Sequence, residues 1–330
     1  MICVFNFALL HSLAMKIATF DIGSATIRLL LGEVAEQKLK REAVKRQITR
    51  LGDGFSNGHL HPISLTRTLE AAHEFAREAR SYGAAEIRAV CTGVARQMAD
   101  PAALTRALSI EAKLDAYIIE GALEARISAL GAANEVDLKQ TPFLLMDIGG
   151  FSTEFILVEG STFSRAISLD LGTVRLTEKH MRHDPPLPEE MEACAVEARQ
   201  VLTQSELLQR SEAHSGLVGT AGTVTTLAAM DLKMERYEPY RLNRHVLRTD
   251  TIRDLLHRLL SMPALDRLTI PGLEKGREDL MPAGAVICLE VLAQLGLDRM
   301  TVTEGGVLEG LALWPEWPPA SEPMIDRSRG

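Results

Sequence analysis

Two aspartates occupy the same place in two copies of one pattern. Residues 17–34 read IATFDIGSATIRLLLGEV, and residues 143–160 read FLLMDIGGFSTEFILVEG. Each copy is an apolar run, Asp-Ile-Gly, a few small or hydroxyl residues, then a second apolar run. That is the signature of a β-hairpin with an acid at the end of its first arm. Asp21 and Asp147 are the two acids, about 126 residues apart. The turns after them, Gly23-Ser24-Ala25-Thr26 and Gly149-Gly150-Phe151-Ser152-Thr153, are rich in glycine and hydroxyls, and a third turn of this kind is Gly219-Thr220-Ala221-Gly222-Thr223. Glycine lets backbone N–H groups approach an anion, and Ser or Thr adds donors. The third turn runs straight into TVTTLAAM, a helix whose N-terminus favours negative charge. Three such turns point to a phosphate cradle. A carboxylate beside phosphate needs a cation between them, and Mg²⁺ takes carboxylates, water and substrate phosphate together. Asp21 and Asp147 are the candidate Mg²⁺ contacts, through water. The plainer alternative is that they only cap the hairpin turns.

The elements that must hold these turns alternate along the chain. Leu65, Leu69, Ala72, Phe75, Ala76 and Ala79 form a helical stripe that stops at Gly83. A strand is expected at 87–92, a helix at 102–113, a strand at 116–119 and a helix at 123–130 ended by Gly131. After the second hairpin come a strand at 163–168, helices near 173–182 and 188–208, and a strand at 216–220 leading into a helix at 223–231. Helices near 250–261 and 281–295, a strand at 299–303 and a helix at 305–313 follow. This order is α/β.

The chain of 330 residues suits two domains, and 46% hydrophobic residues supply cores for both, which excludes disorder. A net charge of −8 argues against a general nucleic-acid coat, so no DNA or RNA duplex is an expected partner. Cys3, Cys91, Cys194 and Cys288 form no CxxC pair, which fits a reducing, cytoplasmic setting. No apolar segment has the length a membrane span requires. Residues 1–14 are apolar without a basic n-region, and Met15 is the expected initiator; 319–330 reads as a proline-rich tail.

These residues resemble the exopolyphosphatase/guanosine pentaphosphate phosphohydrolase (Ppx/GppA) family of the sugar kinase–Hsp70–actin superfold. Asp21 to Leu29 (DIGSATIRL) is similar to the family's D-x-G-S-N-S-x-R-L. Asp147 to Glu154 (DIGGFSTE) resembles D-x-G-G-G-S-x-E, Cys91 to Arg96 (CTGVAR) resembles A-T-x-A-x-R, and Glu120 to Arg126 (EGALEAR) resembles S-G-x-E-E-A-R. Gly219 to Ala229 is similar to G-G-T-x-T-T-L-A-A, Arg277 to Gly284 echoes R-A-D-x-x-x-A-G, and Glu304 to Gly310 resembles D-G-x-R-E-G. The likeness runs in order from about residue 16 to 313. It implies a two-domain actin-like fold with duplicated halves and a cleft between them. The halves would be 15–121 plus 304–318, and 122–303.

The implied activity is Mg²⁺-dependent hydrolysis (Mn²⁺ as a substitute) of a terminal phosphoanhydride, releasing orthophosphate from polyphosphate or guanosine pentaphosphate. Glu124 matches the catalytic glutamate that would deprotonate water, and Arg96 would clamp phosphate oxygens. Glu154 would help hold the metal or the water beside Asp21 and Asp147. Gly23, Ser24, Thr26, Arg28, Gly149, Gly150, Ser152, Thr153, Gly219, Gly222 and Thr223 would bind phosphate. A homodimer is the expected assembly. The chain ends before the C-terminal HD-type domain of the family's long members.

The sequence departs from the family at several points. Phe151 replaces a glycine and is expected to narrow or rotate its turn. Ala25 replaces Asn, Leu123 a glutamate, and Leu308 an arginine, while Asn243-Arg244 stands where His-Gly is common. A homologue that binds polyphosphate or guanosine nucleotides without turnover is therefore one alternative. An acceptor-dependent kinase of the same superfold is another. Two basic clusters, Lys38 to Arg50 and Arg241 to Arg258, are candidate tracks for a polyanion or simply solvated faces. His59, His61, His180 and His183 show no metal-binding spacing.

Overall fold

The computed structural model describes residues 14–135, 142–159, 162–209 and 216–319. Nearly all of the apolar leader and of the proline-rich tail lies outside them.

Two mixed sheets carry the molecule. The first has the order β3-β2-β1-β4-β5, built from β1 (Met15–Ile22), β2 (Thr26–Ala35), β3 (Lys38–Ile48), β4 (Glu86–Cys91) and β5 (Tyr117–Ile118). The second uses β6 (Phe143–Ile148), β7 (Thr153–Glu159), β8 (Thr162–Leu169), β9 (Leu217–Thr220), β10 (Val246–Arg248) and β11 (Arg299–Val302). Its order is β10-β11-β9-β6-β7-β8. Within it, β8-β7-β6-β9-β11 repeats the order of the first sheet. The directions repeat too: β1 pairs antiparallel with β2 and parallel with β4, as β6 does with β7 and β9. The duplication seen in the Asp-Ile-Gly echo is therefore a duplication of the whole sheet. β1 and β6 sit centrally and are covered on both faces, which is why they read as unbroken apolar runs.

β3 has no counterpart among the expected elements. Its sequence, KLKREAVKRQI, is dominated by charge, yet it forms an edge strand whose exposure roughly alternates along its length. Charged side chains on an edge discourage pairing with other chains.

The helix Pro62–Tyr82 follows expectation. His61 accepts from the Ile63 N–H, Pro62 stands at the first turn, and Gly83 closes the end with φ 79°. Gly131 behaves differently. It was expected to stop a helix, but Gly121–Glu135 runs through it. The reason is a helix crossing. A Cβ on Gly131 would lie 2.0 Å from the Gly306 carbonyl oxygen, and one on Gly310 would lie 1.7 Å from that of Ile127. Helix Val307–Leu313 can approach Gly121–Glu135 this closely only because both surfaces lack side chains at the contact. The expected helix at 102–113 is an α-helix, Pro101–Ala107, continued by a wider turn, Leu108–Ala112. The expected 188–208 helix breaks into Pro188–Thr203 and Glu206–Gln209.

Each sheet has its own apolar core. Phe20, Ile27, Leu69, Phe75 and Val94 belong to the first, and Leu144, Phe155, Leu227, Ile287 and Val291 to the second. Three side chains of the later part of the chain, Phe151, Val174 and Leu280, pack into the first core. Val307 and Leu311 join Val90, Ile119 and Ile127 in a smaller cluster where the crossing helices meet.

Candidate active site

The two hairpin turns are built alike. Gly23 N–H donates to the Thr26 carbonyl at 3.0 Å, and Gly149 N–H donates to the Ser152 carbonyl at 2.9 Å. They abut: a Cβ on Gly150 would stand 3.1 Å from Ser24 Cβ. Between them and the turn at 221–223 lies a cavity of about 70 Å³, lined by residues of both sheets. That is far below the several hundred Å³ of a typical small-molecule site. The space between the turns is small and polar.

Most of the expected site residues meet there. Asp21, Gly23, Ser24, Thr26, Arg28, Glu124, Asp147, Gly149, Gly150, Ser152, Gly222 and Thr223 line the cavity. Four expected residues do not. Thr153 is fully buried and donates to the Leu171 carbonyl. Gly219 lies inside β9, where its carbonyl accepts from Thr303 N–H. Arg96 and Glu154 stand just behind the lining.

Arg96 is fully engaged by its neighbours. It ion-pairs with Glu124, reaches Glu154 at 3.1 Å and donates to Ser152 Oγ at 2.9 Å and to the Ile119 carbonyl at 3.3 Å. One guanidinium thus ties the helix carrying Glu124 to the hairpin carrying Glu154. In this arrangement it is a hub for two carboxylates and presents no fork to a phosphate. The guanidiniums on the cavity wall are those of Arg28 and Arg277.

The carboxylates are handled unequally. Asp21 is paired with Arg28 at 2.5 Å and accepts from Thr92 Oγ1 at 3.2 Å. Asp147 accepts from Ser128 Oγ at 2.8 Å. Glu154 accepts from Ser168 Oγ at 2.7 Å, but its Oε2 is buried with no hydrogen-bond partner. Burial pushes the Glu154 carboxyl up to about 7, against the pull of Arg96. Burial, with Glu154 close by, lifts Glu124 well above the usual carboxylate range, and burial raises Asp147 too.

This donor set fits a divalent cation. Asp21, Glu124, Asp147 and Glu154 are four buried carboxylates sharing two arginines, Arg28 and Arg96, and one carboxylate oxygen is left orphaned. Among the described residues no three acidic, His or Cys groups form a ready cage. Mg²⁺ commonly uses one or two carboxylates and completes its shell with water and phosphate.

Several contributors were not expected from the sequence. Arg277 donates to Thr26 Oγ1 at 3.1 Å and is itself paired with Glu274. It lies in the stretch Arg277 to Gly284 that carried a family likeness, which was the available signal. Ser128 sits four residues after Glu124, on the same helix face. Ala221, at the start of the third turn, has φ 66°, a conformation that costs a non-glycine residue of order 1 kcal/mol. It too lines the cavity.

The departures find structural roles. Phe151 was expected to narrow or rotate its turn; the turn keeps the same closing hydrogen bond as the first, and the ring lies off the cavity wall, buried in the first core. Ala25 is a core residue whose carbonyl accepts from Thr49 and Arg50 N–H. Leu123, like Trp314 and Trp317, packs against the crossing-helix cluster, and Asn243 bonds Glu135 and the Glu304 N–H. Leu308 lines a second cavity, of about 90 Å³, which shares Arg28, Ala221, Gly222 and Arg277 with the first. That cavity shares Arg46 and Tyr237 with a third, of about 430 Å³.

The basic clusters are largely ion-paired. Arg41 meets Glu135 and Glu309, Lys45 meets Glu78, Arg46 meets Glu274, and Arg50 meets Asp279. In the later cluster Arg241, His245 and Arg253 pair with Glu238, Asp231 and Asp250. Among the described residues no helix is long and apolar enough to cross a membrane.

Comparison with known proteins agrees with this geometry. The profile of the Ppx/GppA phosphatase family matches residues 32–314. The chain is 31% identical to exopolyphosphatase 2 of Mycobacterium tuberculosis over 312 residues, which is 90% of this chain and 98% of that protein. Among solved structures, the Aquifex aeolicus PPX-GPPA enzyme superposes with a TM-score of 0.75 at 26% identity, covering 91% of this chain and 99% of that one. An exopolyphosphatase-like protein superposes with a TM-score of 0.85 at 25% identity, covering 91% and 97%. The fold is the two-domain actin-like α/β fold, and the chain belongs to the Ppx/GppA phosphatase family.

Proposed function

We propose that this protein hydrolyses a terminal phosphoanhydride bond with a divalent cation, Mg²⁺ or Mn²⁺, and releases orthophosphate from inorganic polyphosphate or guanosine pentaphosphate. The observation that carries the reading is Glu124. It is a buried glutamate on the small cavity that both glycine turns, Arg28 and Arg277 also line. The similarity to exopolyphosphatase 2 supports polyphosphate as the substrate.

In this reading the turn N–H groups and hydroxyls at 24–26, 150–152 and 222–223 seat the terminal phosphate. Phosphoryl transfer needs chiefly positioning and charge stabilisation, and Arg28 and Arg277 supply positive charge on the cavity wall. Glu124 takes the proton of the attacking water. Burial raises its proton affinity, which strengthens the ionised form as a base. Arg96 holds Glu124 and Glu154 in place, so its role here is positioning. Asp21, Asp147 and Glu154 are the residues that would hold the cation, which when bound would neutralise charge on the phosphate oxygens. The halves divide as 15–121 with 304–318, and 122–303, a reading supported by the packing of Val307 and Leu311 on Val90 and Ile119. We take the cytoplasm as its compartment and a homodimer as its assembly.

The test is orthophosphate release from polyphosphate and from guanosine pentaphosphate with Mg²⁺, beside Glu124→Gln. Release that disappears in the variant is expected, and the faster substrate is the preferred one. Binding without release would make the protein a sensor. Release only in the presence of an acceptor would make it a kinase.

A further inference from the structure

We propose that Phe151 is a cross-cleft latch, a positioning residue that holds the second phosphate turn against the first half of the molecule. It stands between Gly150 and Ser152, both on the cavity wall, yet its own ring points the other way. The ring is 5% exposed and packs in the first core, edge-on to Phe55 at 5.8 Å. Arg175 clamps it from its own half. Its guanidinium lies 5.3 Å from the ring centroid, and Nε donates to the Phe151 carbonyl at 3.2 Å.

What the ring rests on matters. It rests on Gly52, where an added Cβ would lie 2.3 Å from Phe151 Cε2. Gly52 N–H in turn donates to the Ser24 carbonyl at 2.8 Å, and the N–H groups of Thr49 and Arg50 donate to the Ala25 carbonyl. The segment that receives the ring is thus bonded to the first phosphate turn. Through Phe151 the two turns are joined by a packed aromatic contact on the side away from substrate. Burial of a ring of this size contributes enough to bias a two-state closure strongly. A glycine at this position, the residue the family pattern carries there, could not make the contact.

The latch predicts coupling between two residues in different halves, neither with a polar side chain. The first readout needs no substrate: the distance between spin labels at exposed positions on the two halves (Arg77→Cys and Glu192→Cys, with Cys3→Ser). Phe151→Ala is expected to broaden the distribution toward longer separations. Gly52→Ala, which only crowds the ring, is expected to do the same. In the double variant the added methyl enters vacated space, so the effects should not add. Phe151→Leu should keep the short distance, and with Gly52→Ala it carries the test should Phe151→Ala not fold. Unchanged distances in both Phe151→Ala and Gly52→Ala, or additive effects, would overturn the latch.

The second readout rests on the hydrolase reading. Tripolyphosphate turnover should fall about tenfold or more in Phe151→Ala and Gly52→Ala and recover largely in Phe151→Leu. Turnover unaffected by an opened cleft would overturn the positioning role. A wild-type protein without turnover would sink the hydrolase reading and leave the distances to decide the latch.

Discussion

The two Asp-Ile-Gly hairpins share strand order, direction and turn, and they differ in what stands across from the aspartate. In the first, Asp21 is paired in register with Arg28; in the second, Asp147 is paired in register with Glu154. One copy therefore contains its own counter-charge. The other sets acid against acid, an arrangement that is destabilising in a sheet unless something else compensates. Arg96 and Ser168 compensate Glu154 from outside the hairpin, and Ser128 does so for Asp147, but Glu154 Oε2 remains unpartnered. Duplication supplied two equal cradles. At one register position the first hairpin carries its own counter-charge, and the second is in deficit of it.

The comparison breaks most severely at Arg96. Arg96→Met leaves Glu124 and Glu154 buried without a cation, a loss of about 3–5 kcal/mol expected for a broken buried pair. Urea denaturation should show that loss, and phosphate release should vanish. Adding Glu124→Gln and Glu154→Gln should restore stability but not release. Arg28→Met should cost less, about 1–3 kcal/mol, because its side chain is 22% exposed and Asp21 keeps Thr92 as a partner. Denaturation of the two arginine variants side by side would rank the hairpins.

The difference is also legible in pH. Glu154 ionises near 4.5 in an unfolded chain and is pushed up to about 7 in the folded one. Its native carboxyl holds a proton more tightly than the unfolded one. The stability it contributes is complete below about pH 4.5 and is lost as the pH rises through about 7. With a chelator present, the thermal midpoint of the wild type should fall across that window, and that of Glu154→Gln should fall less. The smallest effect is expected at Ser128. Ser128→Ala removes one hydrogen bond to a buried carboxylate, worth about 1–2 kcal/mol, and should lower the denaturation midpoint modestly.

Local pattern made much of this legible in the sequence. The echo of IATFDIG and FLLMDIG placed Asp21 and Asp147 correctly because hairpins are read over a few residues. The same register, counted outward from the Gly23 turn, would have set Arg28 opposite Asp21. What escaped depends on distant chain segments. Thr92 and Ser128 reach the aspartates from other elements, and Arg277 crosses from a segment 251 residues away. β3 escaped because an exposed edge strand need not alternate apolar and polar residues. Gly131 and Phe151 were misjudged for one reason. Each was weighed by its local effect, as helix stop or turn obstruction, while its structural role is a contact made with a distant segment of the chain.

The most direct test of the two-hairpin account is chemical denaturation of Asp21→Asn and Glu154→Gln together, at pH 8 with a chelator. The account predicts opposite signs. Asp21→Asn should lose stability, because it takes the partner from Arg28, and Glu154→Gln should gain it, because it relieves an ionised carboxylate left partly unmet. Changes of the same sign in both variants would contradict the claim that one hairpin is charge-balanced and the other is not.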